Sequence, residues 1–118
     1  MDEPWKPADA TEKIRAIARN NRLSLAYKVH AVQREGERGI YTPDVLYLLK
    51  NGFVHDEATA ATRAGFFKYA IEGLTPNSEG RGIRLIVIPD AKNFIIKIVT
   101  VMWIDDTTRR AGTLIGET

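Results

Sequence analysis

The 118-residue chain contains no cysteine, which excludes disulfide bonds and cysteine-ligated zinc as supports for its fold. It also has no long apolar segment, because the most apolar stretch, residues 94–104, includes Lys97 and is too short to span a bilayer. The first residues are acidic and contain two prolines, unlike the basic and then apolar start of a signal peptide. The sequence therefore predicts a soluble protein of the cytoplasm without a membrane partner.

The chain also lacks the motifs that usually hold a cofactor, a metal or a catalytic serine. It contains neither Gly-x-Gly-x-x-Gly nor a phosphate-loop lysine, and no serine stands in a nucleophile-elbow context. His55 precedes Asp56 and Glu57, but the three lack ligand spacing on a predicted helix, so a turn or sheet edge is the better interpretation. We therefore predict no cofactor and no metal.

Charge is small in the net sum but uneven along the chain. The formal net charge is +2. Residues 1–12 carry one lysine and four acids, residues 13–38 carry seven lysines and arginines against two glutamates, and residues 39–118 carry nine charges of each sign. The local excess of +5 attracts a polyanion, either a nucleic acid or an acidic protein, where a uniform +2 would not.

Helix signals dominate the first half of the chain. A loose arm over residues 1–8 precedes a predicted helix over residues 9–21, which has one apolar and one basic face. Two further helices are predicted over residues 30–38 and 42–52. Residues 24–27 fit either a helix or a strand.

Glycine and proline set the ends of the second and third helices. Gly39 follows the second helix and predicts a left-handed cap. Thr42 is expected to cap the third helix, with Pro43 at its first position and Gly52 at its end.

After residue 52 the apolar period changes to two. Phe67, Tyr69 and Ile71 alternate with polar or small residues, and further strands follow over residues 81–88 and 94–104. Residues 89–93 read as a hairpin loop between them. The pattern predicts one α+β domain over residues 1–118, with two to three N-terminal helices packed on an antiparallel sheet of three to four strands and a mobile tail after residue 104.

His30, Arg34 and Arg38 stand four residues apart, so a helix stacks an imidazole and two guanidiniums on one ridge. Like charges at this spacing repel, which favours a ridge that faces an anion or a carboxylate. One interpretation is a solvated basic helix face, and the other is a phosphate-facing site with a titratable group at one end. The spacing alone leaves both open.

Two runs of residues have the order and approximate spacing of a known family pattern. The first comprises His30-Ala31, Arg34, Glu37-Arg38-Gly39-Ile40, Asp44-Val45, Leu48-Leu49, Gly52 and Val54. The second comprises Tyr69, Gly73, Arg84-Leu85-Ile86-Val87-Ile88 and Ile96-Lys97-Ile98-Val99-Thr100-Val101. Over residues 25–103 the chain thus resembles the family called domain of unknown function 4258. The N-terminal helix, the alanine-rich residues 53–64 and the loop over residues 75–80 depart from that pattern.

This resemblance implies a toxin-like core over residues 22–104, similar to the RelE, ParE and BrnT toxins and more distantly to barnase-like ribonucleases. In that group a curved antiparallel sheet cradles RNA and cleaves it without a metal. The implied catalytic set is His30 for proton transfer, with Arg34, Arg38 and Arg84 beside the phosphate. The implied substrate-binding residues are Lys28, Tyr69, Lys97 and Thr100. The implied partners are RNA and an antitoxin-like protein.

Each of these residues also has a structural explanation. His30 fits a helix-packing histidine, Arg34 fits an ion pair with Glu35 or Glu37, and Arg38 is favourable at a helix C-terminus regardless of function. Arg84 is out of phase with the apolar residues of its strand, as a surface charge would be, and Tyr69 and Thr100 are ordinary strand residues. The rival to a ribonuclease is therefore a non-catalytic module of the same fold that binds an acidic protein or nucleic acid, and a catalytically dead relative kept as a regulator is a third candidate.

Overall fold

The computed structural model describes residues 3–105, without the side chains of residues 29, 30, 34 and 35. Within that range the helices are α1 Pro7–Arg19, α2 Val29–Arg38 and α3 Thr42–Asn51. The strands are β1 Ser24–Tyr27, β2 Phe53–Val54, β3 Thr59–Ala60, β4 Phe67–Gly73, β5 Ile83–Asp90 and β6 Ile95–Trp103. The predicted α+β class is confirmed. No helix within residues 3–105 has both the length and the apolarity that crossing a membrane requires.

The sheet is mixed, with the strand order β1-β6-β5-β4-β2, and β3 pairs separately with β4. Strand β1 runs parallel to β6, with Leu25 opposite Ile96, whereas the other pairs are antiparallel. The predicted number of three to four strands is therefore too low, and the predicted antiparallel arrangement holds for every described pairing except that of β1 with β6. Strands β1, β2 and β3 have only two to four residues, too few for a period of two to show in the sequence.

The two faces of the sheet differ because side chains alternate along each strand. Ile83, Leu85 and Val87 of β5 are fully buried on the side where the helices pack. The opposite side, called here the open face, carries the intervening residues of β4, β5 and β6: Lys68, Ala70, Glu72, Arg84, Ile86, Ile88, Asp90, Lys97, Thr100 and Met102. A register shift after Ile86 keeps Thr100 on this face, opposite Ile86.

The ends of α2 and α3 match the sequence prediction except at one cap. Gly39 follows α2 with φ of +71°, as predicted for a left-handed cap. At the start of α3 the cap is not Thr42, because the Tyr41 backbone N–H donates to the Asp44 carboxylate over 3.2 Å. Gly52 follows α3 with an extended backbone, and only glycine fits there because a Cβ would lie 2.7 Å from the Leu48 carbonyl oxygen.

Arginines of α1 fix α1 to the end of α3. The Arg15 guanidinium donates to the carbonyl oxygens of Asn51 and Gly52, and Arg19 donates to that of Lys50. The last carbonyls of a helix have no partner within the helix, so these two side chains supply their hydrogen bonds. The basic face of α1 therefore attaches this helix to the C-terminal end of α3.

The N-terminal segment is not the loose arm that composition predicted. The side chain of Trp5 is 5% exposed and its ring stacks on Tyr69, with the centroids 5.5 Å apart. Helix α1 begins at Pro7 and ends at Arg19, two residues earlier at each end than predicted. Burial of the apolar indole stabilises this contact enough to order the segment around Trp5 in spite of its acidic and proline-rich composition. The predicted mobile tail lies outside the described residues from position 106 onward.

Candidate functional site

A pocket of about 400 Å³ lies at one end of the open face. One wall is formed by residues 61–66, the loop between β3 and β4, and the floor is formed by β1, β5 and β6. The volume lies within the range of roughly 300–1,000 Å³ that is typical of small-ligand sites. The end of the alanine-rich segment, residues 61–64, therefore forms part of one wall of this pocket.

The charged side chains of the pocket are mostly cationic. Among the described residues, Lys28, Arg63, Lys68 and Lys97 line it, against one acid, Asp90. The Asp90 carboxylate accepts hydrogen bonds from both the backbone and the side-chain amide of Asn93, which hold it in the β5–β6 turn. Among the described side chains, none of the four cations is in an ion pair. Unpaired cations around a cavity attract an anionic ligand.

The rest of the pocket is largely apolar. Ala26, Ile88 and Ile95 belong to the strands of the floor, and Ala61 and Phe66 belong to the loop. The Arg63 guanidinium lies over the Phe66 ring, 4.7 Å from its centroid. A cavity with cations at its rim and apolar groups inside suits a ligand that is anionic at one end and flat or apolar at the other.

Local backbone structure explains why the loop stands where it does. Strand β3 pairs with the start of β4, with Thr59 opposite Lys68. Gly65 has φ of +84°, and the Ala61 N–H donates to the Phe66 carbonyl over 3.0 Å. Such a φ suits glycine, which has no Cβ to clash. The tight turn brings Arg63 and Phe66 to the edge of the open face.

Two of the predicted substrate-binding residues, Lys28 and Lys97, meet in this pocket. Lys97 lies opposite Ala26 of the parallel strand β1 and opposite Ile88 of β5. Lys28 follows β1 directly, and its backbone N–H donates to the Ile98 carbonyl over 3.0 Å, which extends the parallel ladder. The parallel pairing therefore brings the two lysines together from distant parts of the sequence.

Arg84 and Thr100 lie on the open face but do not line the pocket. Arg84 is four residues from Ile88 along β5, which places its Cα about 13 Å away. Its guanidinium is 2.5 Å from the Glu72 carboxylate, its cross-strand neighbour. The alternative of a structural charge on the sheet therefore describes Arg84 better than the predicted phosphate contact.

Tyr69 is on the core side of the sheet, which makes its predicted role in substrate binding wrong. Its side chain is 1% exposed, and its hydroxyl accepts the backbone N–H of Trp5 over 2.9 Å and donates to the Glu3 carboxylate over 2.8 Å. Burial raises the pKa of the Tyr69 hydroxyl, so this group stays protonated. Burial also raises the pKa of Glu3, against the hydrogen bond from Tyr69, which lowers it.

Arg38 also serves the fold. Its guanidinium donates to the Val101 carbonyl of β6 over 2.7 Å, and its own carbonyl accepts the Trp103 indole N–H over 2.7 Å. These bonds join the end of α2 to β6. The hydrogen bond to Val101 gives Arg38 a structural role, and its predicted role as a phosphate clamp stays a prediction.

His30 and Arg34 lie in α2, but their side chains are outside the described residues. The predicted shared site of His30, Arg34 and Arg84 stays a prediction. His55 is exposed beside Phe53, in agreement with a sheet-edge position, and the described part of the chain contains no cluster of three or more metal-ligating side chains.

Sequence reasoning missed Arg63, Phe66 and Lys68. A signal existed for Lys68, because it alternates with Phe67 and Tyr69 and so must face away from the core. Arg63 and Phe66 carried no such signal, since residues of an irregular loop have no period. Only the paired strands below them show where the loop lies.

Comparison with known proteins identifies the family. The model of the family described as domain of unknown function (DUF4258) matches residues 27–103. No curated protein and no solved structure matches the chain. The match includes all four cations of the pocket and every element from α2 to β6. Because it covers well over half of the 118 residues, the chain belongs to the domain of unknown function 4258 family.

Proposed function

We propose that this domain binds RNA at the basic pocket, as a toxin-like module of the RelE/BrnT type. The observation that carries the proposal is the set of four cations, Lys28, Arg63, Lys68 and Lys97, around an apolar cavity and unpaired among the described side chains. Phosphate groups supply most of the affinity of nucleic acids for proteins. The balance of charge therefore favours a polyanion.

The apolar part of the pocket favours RNA over an acidic protein. Unpaired RNA presents flat bases beside its phosphates, and proteins bind such bases on aromatic side chains and arginine planes. Phe66 and Arg63 form such a pair beside the floor residues Ile88 and Ile95. Carboxylate side chains of an acidic protein would use the cations but leave this apolar surface unfilled.

Cleavage would make the module a metal-independent ribonuclease, with His30 as the proton-transfer group. Histidine suits that role because its pKa of about 6.5 lies near working pH. The described pocket lining contains no histidine, and its one acid, Asp90, is held by Asn93. His30 belongs to the first turn of α2, two residues after the pocket residue Lys28. The enzymatic part of the proposal depends on this histidine.

Binding is tested by fluorescence anisotropy with a short single-stranded RNA over a range of salt concentrations. Each phosphate contact contributes a slope of about −0.7 to log K against log salt, so four contacts give about −2.8. The variant K68Q/K97Q should bind more weakly, with a slope of about −1.4. The double variant K6Q/K13Q, at two lysines outside the pocket lining, is the control with the same charge change and should alter the slope little. Equal binding by the wild type and K68Q/K97Q would refute RNA binding at this pocket.

Cleavage is tested by expressing the wild type beside His30→Ala and scoring growth and cutting of a defined RNA. The toxin proposal expects the wild type to slow growth and cut, and His30→Ala to do neither while still binding RNA. Binding without cutting by the wild type would remove the enzymatic part and favour the non-catalytic module. Tighter binding of an acidic protein than of RNA would favour the alternative partner.

A further inference from the structure

We infer that the pocket is a subsite for one nucleotide, with the phosphate held by the lysines and the base placed on the apolar floor beside Phe66. This inference rests on the proposed RNA binding and adds the chemical group that enters the cavity. The shared chemistry is a phosphate with an attached base, whether it belongs to an RNA chain or to a free nucleotide.

The arrangement of the lysines supports this assignment. Lys97 pairs with Ile88 of β5, and Lys68 precedes Tyr69, whose partner is Val87. The two lysines thus flank Ile88 on neighbouring strands, roughly 10 Å apart at two strand spacings of about 4.8 Å each. An apolar side chain between two ammonium groups gives a base a surface to lie on while a phosphate meets a charge at its edge.

The size of the pocket limits what enters. A cavity of about 400 Å³ with one wall formed by residues 61–66 has the size of a small-ligand site. A duplex, in which every base is stacked and paired, cannot place a base inside such a wall. A single-stranded or free nucleotide can, and it then gains both the apolar contact and the ion pairs.

The lining also predicts how selective the subsite is. Among the described residues that line the pocket, Thr62 has the only neutral polar side chain, and it is exposed. Discrimination among bases needs buried polar groups that the wrong base leaves unpaired. The subsite should therefore require both a base and a phosphate but distinguish the four bases only weakly.

Isothermal titration with three small ligands tests the two halves of the assignment separately. Adenosine monophosphate carries both groups, adenosine lacks the phosphate, and ribose 5-phosphate lacks the base. The monophosphate should bind the wild type at least about tenfold more tightly than either fragment, which is a stacking or ion-pair contribution of ordinary size. Uridine monophosphate should bind within a few-fold of adenosine monophosphate.

Two variants separate the contribution of the base from that of the phosphate. Phe66→Ala should weaken adenosine monophosphate binding about tenfold and leave ribose 5-phosphate binding unchanged. K68Q/K97Q should weaken the monophosphate and leave adenosine unchanged. Phe53→Ala, at an exposed phenylalanine of β2, and K6Q/K13Q, at two lysines outside the pocket lining, are the matched controls and should change the binding of neither ligand.

Running the same variants with the RNA probe separates this inference from the proposed function. RNA binding that needs the lysines, without competition by the monophosphate or loss in Phe66→Ala, would overturn the nucleotide subsite and leave RNA binding standing. Binding of the monophosphate without RNA binding would support the subsite and refute the proposed function. Equal affinity for the monophosphate and ribose 5-phosphate would also overturn the subsite.

Discussion

Replacing Tyr69 with phenylalanine tests whether its hydroxyl stabilises the fold or contributes to ligand binding. The change removes one oxygen at a position that is 1% exposed and keeps the ring that stacks on Trp5. The lost hydroxyl is the acceptor of the buried backbone N–H of Trp5 and the donor to the Glu3 carboxylate. The variant therefore loses two hydrogen bonds and no aromatic contact.

The expected cost follows from those two bonds. A buried donor that loses its partner costs about 1–3 kcal/mol, and the half-buried bond to Glu3 adds about 1 kcal/mol or less. We expect Tyr69→Phe to lower the free energy of unfolding by about 2 kcal/mol. For a domain of this size that corresponds to a fall in Tm of about 8 °C.

Urea denaturation of the wild type and Tyr69→Phe measures this difference, and the midpoint should fall while the m value stays constant. Tyr47→Phe is the matched control, because this side chain on α3 is 41% exposed and its loss of a hydroxyl should cost less than about 0.5 kcal/mol. RNA binding of folded Tyr69→Phe should equal that of the wild type. Unchanged stability together with weaker RNA binding would refute the reasoning and return Tyr69 to the site.

Two further predictions concern the Glu3 carboxylate and the ion pair between Arg84 and Glu72. Burial raises the pKa of Glu3 in the folded state above its ordinary value of 4.5, so the folded state holds this proton more tightly than the unfolded state. The stability that results is fully present below pH 4.5 and is lost as pH rises through the raised pKa of the folded state. Glu3→Gln should abolish that decline in a series of urea denaturations over pH, and an unchanged decline would show that another group causes it. Arg84→Met leaves the Glu72 carboxylate, 18% exposed, without its partner and should cost about 1–2 kcal/mol, whereas R84M/E72L should recover most of the loss. Both variants should keep wild-type RNA binding by anisotropy, and a loss of binding at unchanged stability would place Arg84 in the site.

Local patterns in the sequence predicted the helices and the long strands. Pro43 and Gly52 bound α3 closely, and Gly39 ends α2 with the φ that its position required. The period of two also indicated on which face of the sheet each strand side chain lies. Tyr69 and Lys68 are neighbours and must lie on opposite faces, so assigning Tyr69 to a site with Lys97 conflicted with the pattern.

The non-local parts of the site could not be predicted in this way. The parallel pairing of β1 with β6 joins residues about seventy positions apart, and no period within either segment specifies it. The same pairing brings Lys28 to Lys97. The loop wall with Arg63 depends on a two-residue strand and a glycine turn, both below the length at which periodicity is informative.

The position of Lys28 determines how the helix ridge relates to the pocket. Lys28 lines the pocket, and α2 begins at the next residue, so the first turn of the helix starts at the pocket rim. Arg38 lies eight residues beyond His30, a rise of about 12 Å, and its guanidinium is bonded to the Val101 carbonyl. The described guanidinium of the ridge, that of Arg38, is therefore directed at the sheet from the end of α2 farthest from Lys28. We therefore propose that the N-terminal end of the ridge serves the pocket, whereas Arg38 joins α2 to β6.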